Sequence, residues 1–138
     1  MQKHFNLKAW ACVSDDFEVM RITKAILESF THCSWNFSNL NEVQVQLSKT
    51  LAGKKFLLVL DDVWDYGRDG WNLLRSPFGA GAPGSKIIVT TRDRGVAKQM
   101  GMDKYHNMHN LSHDDCWLIF AQLAFEKRYI KDCPKLVS

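Results

Sequence analysis

No apolar run in the 138 residues approaches the roughly 20 needed to cross a bilayer, which predicts a chain without a membrane span. The opening Met1-Gln2-Lys3-His4-Phe5 holds no apolar signal core. Closely spaced cysteines are missing as well. Cys12, Cys33, Cys116 and Cys133 are scattered and form no CxxC pair, which speaks against a zinc site. Four reduced thiols, some buried as small hydrophobes, are the plain reading, and the predicted location is cytoplasmic. No dense Lys/Arg stripe occurs and the formal net charge is only +3, so nucleic acid is not an expected partner. Internal repeats and low-complexity tracts are lacking too.

What is present is ample apolar material. Hydrophobic residues make up 46% of the chain, enough for a sizeable core in one domain of ordinary size. Charged residues make up 24%, which argues against wholesale disorder. The strongest local signal is residues 54–64, KKFLLVLDDVW. Phe56 to Leu60 is unbroken by any polar residue, and Asp61 and Asp62 follow at once. So short and apolar a run predicts a strand buried on both faces, as in a parallel sheet. Ligands of such sheets sit beyond the carboxyl ends of the strands, which is where both carboxylates fall.

The flanking patterns fit this picture. Residues 5–13 predict a strand, with Phe5, Leu7, Ala9, Ala11 and Val13 alternating. Ser14-Asp15-Asp16 offers caps for a helix over 16–30, built on Val19, Ile22, Ile26, Leu27 and Phe30. Residues 31–39 read as a loop. Leu40, Val43, Leu47 and Leu51 predict a second helix, stopped by Gly53. A helix between two strands is a crossover connection and implies parallel pairing. Residues 65–84 are rich in Gly, Pro and Asp, with a short helix expected near Trp71–Leu74. Ser85 to Thr91 is a third strand, ending in Thr90-Thr91-Arg92. Asp93 is placed to cap a brief helix closed by Gly101. Residues 105–111 alternate weakly and predict a fourth, edge-like strand. Ser112 with Asp115 approximates a capping box ahead of a last helix, which carries Trp117, Phe120, Ala121, Ala124 and Phe125.

An apolar strand ending in Asp-Asp looks like the Walker B element of P-loop nucleotide-binding proteins. The order of the blocks narrows the likeness. Residues 5–17 (FNLKAWACVSDDF), 54–64, 84–92 (GSKIIVTTR) and 105–125 with Cys116-Trp117-Leu118-Ile119-Phe120 succeed one another across nearly the whole chain. This succession closely resembles the NB-ARC domain of plant NBS-LRR disease-resistance proteins, and Trp64 after Asp-Asp-Val resembles their coiled-coil branch. The resemblance implies a three-layer α/β, P-loop NTPase-like fold with a mostly parallel sheet. A partial nucleotide-binding domain would occupy 1–111 and the start of a helical subdomain 112–138. It also implies a switch, closed with ADP and opened by exchange for ATP, acting in plant defence. Asp61 would be the Mg²⁺-associated carboxylate and Asp62 the acid that positions water for slow hydrolysis. Thr91 and Arg92 would lie at the nucleotide, with Arg92 reading the γ-phosphate through its fork of donors. Leucine-rich-repeat and coiled-coil domains of the same polypeptide, and self-association, are the partners the resemblance implies.

The departures shape the expectation. No GxxxxGK[ST] occurs in the chain, although that loop supplies the N–H groups and lysine that grip phosphates. The family's Gly-Leu-Pro-Leu block is absent too. Met1-Gln2-Lys3-His4 reads like the interior of a family member, so a piece of a longer protein is expected. It would lack the phosphate-loop strand that lies beside the Thr-Thr-Arg strand. Such a piece is expected to bind nucleotide weakly or not at all and not to be an enzyme itself. A truncated interaction module or decoy, or a piece of a true P-loop ATPase, are the alternatives. A haloacid-dehalogenase-type phosphatase is disfavoured because Asp61-Asp62-Val63 lacks Asp-x-Asp. A receiver domain is disfavoured because its acidic pair follows the first strand. Plainer roles stand beside each assignment. The Asp pair can cap a loop, Arg92 can form a surface ion pair, and Trp64, Trp71 and Trp117 can be packing residues. His106, His109 and His113 fit no zinc spacing and are expected to be exposed.

Overall fold

In the computed structural model, which describes residues 4–13, 18–64, 67–102 and 105–125, the strand β2 (Phe56–Asp61) is the centre of a three-stranded sheet. It lies between β1 (Leu7–Cys12) and β3 (Lys86–Val89), and both pairings are parallel. The register sets Ala9 beside Leu58 and Leu58 beside Ile87. Two helices join β1 to β2: α1 (Val19–Thr31) and α2 (Leu40–Leu51). Then come α3 (Gly67–Arg75), a 3₁₀ turn (Ser76–Ala80), β3 and α4 (Arg94–Gln99). The chain divides into two compact units, Met1–Tyr105 and His106–Ser138, and all these elements belong to the first.

The core follows from two periodicities meeting. On the sheet, Phe56, Leu58 and Leu60 share one face with Ala9 and Ala11, and all five are buried. The helices answer with Ile22, Ile26, Leu27 and Phe30 from α1, and Val43, Leu47 and Leu51 from α2. Ala9 and Ala11 are small enough to let α1 approach closely, and the Trp10 N–H donates to Ser29 Oγ of α1 at 2.9 Å. Phe56 lies between Phe30 and Phe78, with ring centroids at 5.8 and 6.0 Å. Each such aromatic pair adds about 0.5–1.5 kcal/mol beyond area burial.

The opposite face corrects one expectation. Strand β2 is not buried on both sides: Leu57 and Val59 are only half-buried. Trp10, Val59 and Ile88 are register neighbours across that face, and Trp10 and Ile88 are 58% and 50% exposed. Helices α1 and α2 pack on the other face, so this apolar row has no cover among the described residues of the first unit. The outer edge of β3 likewise carries no strand among the described residues.

Helix ends explain where the elements stop. At the start of α2, Asn39 Oδ1 accepts from the Glu42 N–H at 3.0 Å, and Glu42 Oε2 accepts from the Ser38 N–H at 2.9 Å. The two side chains cap each other's stretch of backbone, so two orphan amides are satisfied together. Gly53, at φ +66°, turns the chain out of α2 into β2, as its position predicts. The caps expected at Ser14–Asp16 lie outside the described residues.

In the second unit, α5 (His113–Ala124) is capped as expected. Ser112 Oγ accepts from the Asp115 N–H at 3.1 Å and donates to Asp115 Oδ2 at 2.6 Å. The strand predicted over 105–111 is not there; that stretch is irregular. Tyr105, Met108 and Leu111 are exposed. Weak alternation broken by Asn107 and Asn110 does not make a strand, because asparagine is disfavoured there. Leu118, Ile119, Phe120 and Leu123 of α5 are exposed as well.

Candidate functional site

At the carboxyl end of β2 the chain turns sharply. Asp61 is the last strand residue, and Asp62 takes a left-handed backbone, φ +56°. Few side chains tolerate that conformation; Asp and Asn are the usual exceptions to glycine. The turn is held from the neighbouring strand. The Thr90 N–H donates to Leu60 O, and the Val63 N–H donates to Thr90 O, both at 2.9 Å. On the other side, the Val13 N–H donates to Asp61 O at 2.9 Å.

Thr90 is the hub of the site. Its hydroxyl donates to Asp61 Oδ1 at 2.5 Å and accepts from the Asp62 N–H at 2.9 Å. One side chain thereby fixes the direction of the first carboxylate and the backbone of the second. The sequence reading passed over Thr90 in favour of Thr91. The signal was present in principle: Leu60 pairs with Val89, so Thr90 falls beside Asp61. Register across two strands is what a single sequence does not print. Thr91 turns elsewhere. Its hydroxyl donates to Val63 O at 2.6 Å and accepts from the Asp93 N–H at 3.1 Å, so it shapes the turn that leads to α4. Asp93 caps that helix as expected, accepting from the Gly95 N–H at 2.7 Å.

Arg92 comes back over the acidic turn. Its Nε donates to Asp62 Oδ1 at 3.1 Å and its Nη2 to Asp62 Oδ2 at 3.2 Å. The guanidinium also lies over the Trp64 ring, 4.6 Å from the centroid. Asp61, Asp62 and Arg92, from distant blocks of the sequence, are thus gathered at one corner. Trp64 is a packing residue and not a core one. It is 44% exposed, and part of it lines a small apolar recess with Val13, Leu60, Val63, Trp71 and Met100. Trp71 is buried as expected, and its indole N–H has no hydrogen-bond partner among the described residues. Trp117 rests against Phe120, with centroids 5.5 Å apart.

The donor set suits a hydrated hard cation at Asp61. Mg²⁺ is held by one or two carboxylates and keeps most of its other oxygens from water and phosphate. Thr90 engages one Asp61 oxygen and fixes the rotamer. No cluster of three or more His, Cys, Asp or Glu side chains placed to enclose a metal occurs among the described residues. His106, His109 and His113 are exposed. No described helix is long and apolar enough to cross a membrane.

The NB-ARC domain family matches residues 1–129. The chain is 43% identical over 127 residues to the putative disease resistance RPP13-like protein 1 of Arabidopsis thaliana, covering 91% of this chain and 12% of that protein. It is 42% identical over 124 residues to the disease resistance protein RGA2 of Solanum bulbocastanum, covering 89% of this chain and 13% of that protein. To the putative disease resistance protein RGA4 of the same species it is 42% identical over 136 residues, covering 99% and 14%. The chain therefore spans 12–14% of the length of these relatives.

Proposed function

Since the chain belongs to the NB-ARC domain family, we propose that it is part of an ADP/ATP-dependent switch in a plant intracellular immune receptor. One observation carries the reading. At the end of the central parallel strand stand two carboxylates, and the second, Asp62, meets an arginine from the end of the next strand at 3.1–3.2 Å, while Thr90 holds the first, Asp61. Asp61 would hold Mg²⁺, and Asp62 would orient water for slow hydrolysis. Arg92, supported by the Thr91 turn, would contact the terminal phosphate. Bound Mg²⁺ would supply charge to neutralise the phosphates. Residues 1–111 would be the nucleotide-binding part and 112–138 the start of the helical subdomain. The switch would act in the cytoplasm, against repeat and coiled-coil domains of a longer polypeptide and in self-association. The sequence holds no GxxxxGK[ST], so most of the grip on phosphate has to come from residues outside this chain.

Thermal melts with and without Mg²⁺-ADP test the reading, with Asp61→Ala as control. Nucleotide at about ten times its dissociation constant adds about 1.4 kcal/mol of apparent stability. We expect a small rise in the melting temperature at millimolar nucleotide, lost in Asp61→Ala. An equal rise in both proteins would place the nucleotide elsewhere. A cooperative melt that ignores nucleotide would favour the second reading, an interaction module. The apolar row of exposed Trp10 and Ile88 with half-buried Val59 between them supports that second reading.

A further inference from the structure

Arg92 is clasped from two directions. Asp62 takes its Nε–Nη2 edge with both carboxylate oxygens, and the Trp64 ring lies against its face at 4.6 Å. The two clasping residues are only two positions apart, and the left-handed turn at Asp62 lets both reach the same cation. We propose that Asp62 and Trp64 form a latch on Arg92, and that an incoming oligophosphate opens it by competing with Asp62 for the guanidinium. Trp64 is then a positioning residue for Arg92. Only the identity of the releasing ligand rests on the nucleotide reading above.

The argument is one of valence. A phosphate that takes the Nε–Nη2 edge must displace Asp62. A phosphate that takes the other edge, Nη1–Nη2, sits close to the Asp62 carboxylate, and like charges repel. Either way the Asp62 pairing weakens as the phosphate binds. The latch is also light enough to open. The Arg92 side chain is 72% exposed and that of Asp62 33%, so solvent screens their attraction. An oligophosphate carries more charge than one carboxylate and offers the same bidentate geometry. Trp64 adds a contact that salt screens less, because the ring carries no net charge. An exposed cation–π contact shifts an equilibrium by about two- to fivefold.

The test is NMR of the Arg92 side chain in the whole 138-residue chain, assigned with Arg92→Lys. Sodium tripolyphosphate is the probe, with sodium chloride at matched ionic strength as control. We expect the Arg92 side-chain protons to be displaced by the indole ring current in the wild type. The displacement should persist in part in Trp64→Phe and vanish in Trp64→Leu, which keeps an apolar wall for the recess beneath. Tripolyphosphate should move the wild-type signals toward the Trp64→Leu position. Its midpoint should be about two- to fivefold lower in Trp64→Leu than in the wild type. Identical Arg92 signals in wild type and Trp64→Leu would overturn the latch. So would equal midpoints, or an equal effect of sodium chloride. If tripolyphosphate opens the latch while Mg²⁺-ATP at the same concentration leaves both the signals and the melt unchanged, the nucleotide reading fails and the latch stands.

Discussion

Leu58→Ala is expected to cost the first unit about 3 kcal/mol, read as a fall in the urea midpoint with the slope unchanged. Leu58 is fully buried at the middle of the central strand, and its register neighbours are Ala9 and Ile87. Ala9 is already as small as a core side chain can be, so β1 has nothing to swing into the space. The core helices above carry β-branched and aromatic side chains with few rotamers to spare. The cavity should therefore stay open, and the loss should include the cavity contribution as well as the transfer of the missing methyl and methylene groups. Domains of this size have only about 5–15 kcal/mol in hand. Leu57→Ala, one residue earlier on the half-buried face, should cost about 1 kcal/mol or less. Equal losses at the two positions would mean that the strand has no preferred face, contrary to the pairing described.

Thr90→Val should cost about 2 kcal/mol, although the two side chains have nearly the same shape. The change removes one donor to a carboxylate and one acceptor from the Asp62 amide. Asp61 loses a charge-assisted bond, and the Asp62 N–H is left to find water in a part-buried turn. Backbone pairing through the Thr90 N–H and C=O does not depend on the side chain, so β3 should remain in place. Thr90→Ser keeps the hydroxyl and should recover most of the loss in a urea titration. A serine variant as unstable as the valine variant would assign the effect to packing of the methyl group instead.

These two residues also mark what was legible in the sequence. Leu58 was readable because Phe56–Leu60 has no polar break, but that same run hid the difference between the faces, and Leu57 and Val59 are only half-buried. The spacing of Val43, Leu47 and Leu51 gave α2 in the same way, and Gly53 gave its end. Thr90 was not readable as the hub, because its role depends on which residue of β3 faces Asp61. The clasp on Arg92 spans 30 residues of sequence and a left-handed turn, and neither leaves a periodic trace. The turn of 3₁₀ helix at Ser76–Ala80 was hidden by its composition: Pro77 and Gly79 read as loop, yet Pro77 and Phe78 are buried. The strand expected over 105–111 failed for the opposite reason. Alternation was present there, but Asn107 and Asn110 disfavour a strand.

The all-parallel pairing also governs how the chain reaches this state. Antiparallel neighbours can zip up from a tight hairpin, whereas each contact here waits for a long closure. Asn6 and Lys55, at the start of the β1–β2 seam, are 49 residues apart, and Phe56 and Ser85 are 29 apart. The longer closure costs only about 0.5 kcal/mol more than the shorter, so neither seam has a strong head start. Helices such as α1 and α2 form in about a microsecond, but such non-local pairing usually needs milliseconds to seconds. Throughout that interval Phe56–Leu60 is an unpaired apolar strand, open to the same strand of another molecule. Refolding yield should therefore fall as protein concentration rises, even under conditions where the folded chain is stable.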